Sequence, residues 1–168
     1  LTREKAKSWE TVRDLLKGDD AILAVLSYGD LYHNLKAAIK DAAAPGSHGN
    51  VYFDDCEVDG VRMAKIVAEK DWQALPAHMR EAAKEASETF LHTGDGQLCD
   101  IIVDRAALAA IYECGKNASD AIIRDYAETT VAVADIKIAV RSQKTGKHLD
   151  FMRRAMTPCD SLNIERLS

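Results

Sequence analysis

Proline occurs three times and glycine nine times in 168 residues, so few breaks interrupt the chain. Alternation of apolar and polar residues over any length is absent, and with it the signature of a half-buried sheet. The longest purely apolar run, "AILAVL" at 21–26, is far too short to span a bilayer. The sequence starts at Leu1 with no basic-apolar-small leader, so a processed or excised piece without a signal peptide is expected. The four cysteines (Cys56, Cys99, Cys114, Cys159) form no CxxC and no dense framework. A reduced, cytosolic setting without disulfides is the simplest reading. Bases are outnumbered, 22 against 27 acids for a net charge of -5, which argues against a phosphate-binding face for nucleic acid.

Helix signals fill what remains. Apolar residues at helical spacing predict amphipathic helices over 3–16 and from about 20 to 44, with Gly18 between them and Asp19 or Asp20 as cap. "PGSHGN" at 45–50 reads as a loop. Asp59 suits the cap of a short helix over 61–70. Pro76 opens another, closed by Gly94, with "HTGDG" as a turn. Further helices are expected over 104–114, over 120–145 with Ser119 as cap and Gly146 as stop, and over 148–156. Asn163 would start a last, truncated one. The class is all-α.

Motifs for chemistry stop short. "DCEVDG" begins like a calcium loop with Asp55, Glu57 and Asp59, but Ile66 stands where the bidentate Glu belongs. "KTGKH" lacks the earlier glycine of a phosphate-binding loop, since Arg141 is there. The five histidines show neither HExxH nor an i,i+4 pair. His33 and Cys114 have the chemistry of a base and a nucleophile. A buried thiol and a surface imidazole is the plainer reading.

One pattern recurs. "HNLKAAIKDAA" from 33 lies over "ADIKIAVRSQK" from 134, an offset of 101 residues. Asn34 falls on Asp135, Leu35 on Ile136, Lys36 on Lys137 and Lys40 on Arg141. A turn precedes each copy, "KGDDAI" and "KNASDAI". This reads as a duplicated helical unit, the first over 1–98 and the second, incomplete, over 99–168. Asn is a poor choice inside a helix, because its amide competes for main-chain groups. Beside an apolar stripe, Asn34 is suited to bond the main chain at the end of a neighbouring helix, and Asp135 to do so with charge. Lys36 and Lys40 share a face, as do Lys137 and Arg141. These basic edges are either solvated or turned to a partner.

The segments "YHNLKAAIK" (32–40), "EKDWQALP" (69–76), "DIIVDRAALAAIYE" (100–113) and "DIKIAVRSQKTGK" (135–147) together resemble the C-type subunits of the archaeal and bacterial A/V-type rotary ATPases, counterparts of the eukaryotic d-type subunits. The likeness runs along essentially the whole chain, which would form roughly the middle half of a family member. It implies related three-helix domains set around a pseudo-threefold axis like a funnel. It further implies a rotor subunit without active site or cofactor. Such a subunit lies at the cytoplasmic membrane surface, caps the proteolipid ring and receives the central shaft. Asn34, Lys36, Lys40, Asp135, Lys137 and Arg141 are then structural or interface residues. Loops such as "AAAPGSHGN" and "RSQKTGKH" are candidates to meet the ring. The sequence departs from the family pattern at Asp135, where Asn is commoner. An acid expected one turn earlier is displaced to Asp30 in the first copy and absent from the second, and "TPCD" (157–160) replaces a glycine-rich turn. A stand-alone helical adaptor and a small enzyme are the alternatives. Leu35 and Ile136 are both expected in the core, so a charge at either would cost about 3 kcal/mol or more.

Overall fold

The computed structural model describes residues 2–15, 20–43 and 52–167. The expected loop at 45–50 and the stop and cap at 18–19 lie outside them. Among the described residues there are eight α-helices and no strand, in agreement with the all-α reading. They are α1 (Thr2–Leu15), α2 (Asp20–Ala43), α3 (Gly60–Glu69), α4 (Arg80–Thr93), α5 (Gly96–Lys116), α6 (Ala121–Lys144), α7 (Leu149–Ala155) and α8 (Ile164–Leu167). Two single 3-10 turns, Trp72–Ala74 and Ala77–Met79, link α3 to α4.

Aspartates open three of these helices. Asp59 accepts from the N–H of Arg62, Asp95 from those of Gln97 and Leu98, and Asp120 from that of Ile122. Each carboxylate satisfies donors that the helix itself leaves bare and lies at the positive end of its dipole. Two expectations change here. Asp120, not Ser119, caps α6. Helix α5 starts at Gly96, two turns before the expected 104. The "TGDG" turn is real but only one residue wide on each side: Gly94 closes α4 at φ 65° and Asp95 at once caps α5. The proposed unit boundary at 98/99 falls in the first turn of α5.

Helix α5 is the centre of the packing. It lies against α2, α4, α6 and α7. The main core joins Leu31, Tyr32 and Leu35 of α2 to Met63 and Ile66 of α3, and to side chains of α4 and α5. Tyr32 reaches out of this core to donate to the carbonyl of His78 at 2.9 Å, with His78 Nδ1 also 2.9 Å from its hydroxyl. A single tyrosine proton serves the carbonyl, so His78 carries its proton on Nδ1 and donates to the hydroxyl. A smaller cluster of Val25, Ile111 and Ala127 joins α2, α5 and α6. There Gly115 is required: a Cβ at that position would overlap the Cβ of Ala127 on α6.

Candidate site on the paired long helices

Asn34 is fully buried on α2, and its amide is spent on one residue. Its Nδ2 donates to the carbonyl of Phe53, and its Oδ1 accepts from the N–H of Phe53, both at 2.8 Å. Phe53 belongs to the irregular stretch that leads into α3, where no regular ladder is available to its main chain. A donor and an acceptor on one rigid amide supply both missing bonds. The expected main-chain partner is therefore real, although it is this lead-in segment and not a helix end.

Asp135, 101 residues on, is equally buried on α6. Its Oδ1 accepts from the N–H of Thr157 at 3.1 Å, while its Oδ2 has no hydrogen-bond partner among the described residues. Burial pushes its carboxyl pKa up, against the opposing pull of the Thr157 N–H. The main-chain bond expected of Asp135 is present, made to the segment after α7, in surroundings that oppose its charge. The Thr157 hydroxyl donates to the carbonyl of Arg105, so the latched segment is also fixed to α5.

The two latches are followed by the same device. Six residues beyond Phe53, Asp59 accepts from the N–H of Arg62 at the start of α3. Six residues beyond Thr157, Asn163 accepts from the N–H of Arg166 at the start of α8. Helix α6 carries a further clamp. Glu128 on α6 accepts from the N–H groups of Ser161, at 2.7 Å, and Asp160, at 3.4 Å. Burial resists the charge on Glu128, but the Ser161 hydroxyl together with these N–H groups prevails and holds its pKa down. Ser27, 101 residues before Glu128 on α2, donates to its own helix at the carbonyl of Ala24.

The basic residues of the two long helices differ in their partners. Lys36 meets Asp104 at 2.6 Å and Lys40 meets Asp100 at 2.6 Å, the latter without the alignment of a hydrogen bond. Rising numbers on α2 meet falling numbers on α5, so the two pairs form a ladder between antiparallel helices. Lys137 and Arg141 have no ion pair among the described residues. They are exposed on the rim of a groove of about 350 Å³ over α5, whose floor includes Leu108 and Ile111. The acid pair Asp100/Asp104 was not singled out in the sequence, yet its i,i+4 spacing matches that of the lysines.

The remaining candidates separate. His33 sets its ring edge-on to Phe53, 5.0 Å between centroids. Cys114 lies beside the hydroxyl of Tyr28, whose pKa burial and then Cys114 push up to about 12. Asp59 caps α3, and Ile66 is buried in the main core, so "DCEVDG" is a helix entrance. No group of three or more His, Cys, Asp or Glu suited to a metal ion occurs among the described residues.

An all-helical scaffold emerges, in which polar side chains of the long helices fasten neighbouring main chain and tie helix to helix. The chain belongs to the ATP synthase (C/AC39) subunit family, which it matches over residues 1–168. The resemblance carried by the Asn34 and Asp135 helices is thereby borne out. No curated protein and no solved structure was found to match the chain. No helix among the described residues is long and apolar enough to cross a membrane.

Proposed function

We propose that the chain forms the mechanical middle of a rotor subunit, one that couples the central shaft of an A/V-type ATPase to its membrane proteolipid ring. Family membership supports assignment to such a complex. The observation that carries the coupling role is α5, an unbroken helix of 21 residues packed against both neighbouring helix groups. Torque passes through a body of this kind without an active site. Latches of the Asn34 and Asp135 type keep the segments that follow the long helices from giving way under load. The two long helices and their latched sequels stand for one repeated unit, with further related units completing a funnel around the shaft. The ring is then met from the cytoplasmic side by segments such as 42–50 or 141–148.

The test is co-purification. The full-length parent protein, tagged and extracted in mild detergent, should bring down shaft and proteolipid subunits in fixed proportion. Recovery with neither would favour a stand-alone helical adaptor.

A further inference from the structure

Helix α6 is apolar on two opposite faces. Ala127, Val131 and Ile138 point towards α5, whereas Ile122, Tyr126, Val133, Ile136 and Val140 form a stripe on the far side at steps of four, seven, three and four residues. That spacing keeps one line along a helix, the pattern of a packing seam. The stripe is partly open: Tyr126, Val133, Ile136 and Val140 are 43, 41, 44 and 46% exposed, the last two beside Leu149 and Met152 of α7 and Leu167 of α8. Their counterparts on α2 at the 101-residue offset are Val25, Tyr32, Leu35 and Ile39, which are 1, 1, 0 and 3% exposed. On α2 this face is covered by the elements that follow it, α5 among them.

The charges beside the stripe repeat as well. Lys36 and Lys40 flank the covered face of α2 and hold Asp104 and Asp100 of α5. Lys137 and Arg141 flank the open face of α6 at the same spacing and hold no described acid. We propose that the outer face of α6 is a docking seat for an amphipathic helix bearing two carboxylates one turn apart, which lies antiparallel to α6 as α5 lies on α2. The apolar stripe supplies the buried area. The two cations set the direction and register of the incoming helix. This inference uses the 101-residue correspondence of the proposed repeat and does not depend on the shaft-and-ring reading.

The probe is a synthetic peptide of residues 96–116, the helix that meets Lys36 and Lys40 within the fold, carrying Cys99→Ser, Cys114→Ser and a terminal fluorophore. Anisotropy titration at low salt should show saturable binding to the 168-residue chain. The double variant Lys137→Glu, Arg141→Glu should weaken it about tenfold, the size expected for two partly exposed ion pairs. A peptide with Asp100→Lys and Asp104→Lys should recover the loss. Helix content and melting of the chain variant should match wild type, because both side chains are exposed. Absence of binding, or equal binding by wild type and variant, would overturn the proposal. So would self-association of the chain alone that Ile136→Glu abolishes, since a second copy would then be the occupant. Co-purification with shaft and ring leaves this seat untouched, so the two proposals fail separately.

Discussion

Asn34 and Phe53 are joined by a closed pair of hydrogen bonds, amide to main chain, with both distances 2.8 Å. The Asn34 side chain is sealed from solvent, and its truncation removes both bonds at once. Asn34→Ala should therefore cost about 2–3 kcal/mol, more than a single neutral hydrogen bond, because an N–H and a carbonyl are stranded together. Denaturant unfolding measures it. A midpoint within error of wild type would mean that the Phe53 segment finds other partners.

Asp135 gives a pH dependence of defined sign. Its folded pKa is raised above the ordinary carboxyl value by burial. At pH values between the unfolded and folded pKa, the folded state holds a proton that the unfolded chain releases. Stability from this group is fully present below the unfolded pKa and declines as pH rises from about 4 through the folded value. Asp135→Asn removes that decline and restores the amide found at position 34. Unfolding midpoints of the variant should exceed wild type at pH 7, and the gap should narrow towards pH 4. A constant gap across that range would place an ionised carboxylate in the core.

Leu35 and Ile136 occupy matching places, and equal penalties were expected of them. The structure separates the two: Leu35 is sealed in the main core and Ile136 lies open on α6. Leu35→Asp should cost about 3 kcal/mol or more through an unpaired buried charge, whereas Ile136→Asp should change stability by about 0.5 kcal/mol or less. Thermal melts of the pair decide this directly.

The ladder between α2 and α5 should prove a modest stabiliser. The Lys36–Asp104 and Lys40–Asp100 pairs keep much of each carboxylate in solvent. A double-mutant cycle on either should give a coupling of about 0.5–1 kcal/mol, falling with added salt. The exchange variant Lys40→Asp, Asp100→Lys should regain part of what either single reversal loses.

Gly115 sets the distance between α5 and α6. Gly115→Ala gains helix propensity but drives a methyl into Ala127, and overpacking of this kind costs about 1–3 kcal/mol. The paired change Ala127→Gly should return most of it, read as a recovery of the unfolding midpoint.

Much of this molecule is legible in the residues alone. Helical spacing, Asp59 before α3, Gly94 after α4 and Asn163 before α8 all mark elements that form, because a cap acts through its nearest neighbours. The amide at Asn34 betrayed its purpose by being out of place on a helix. The start of α5 was hidden because Gly94 and Asp95 carry the signals of an ending and a beginning in adjacent residues. Ile136 was misplaced for a different reason. A period of 3.6 identifies apolar faces, and α6 has two of them, but which face is covered depends on elements distant in the chain. The partners of Lys36 and Lys40 were hidden likewise, some sixty residues downstream on a helix whose own pattern shows only that its acids share an edge.

Because α5 is a wall common to both halves, the two cannot be prised apart at a linker. No peptide joint between them can flex while their interiors stay intact. A bending moment on α6 reaches α2 as strain in shared packing, distributed over turns of helix. Unfolding should then be a single event for both halves, and proteases should find no early cut between residues 96 and 116.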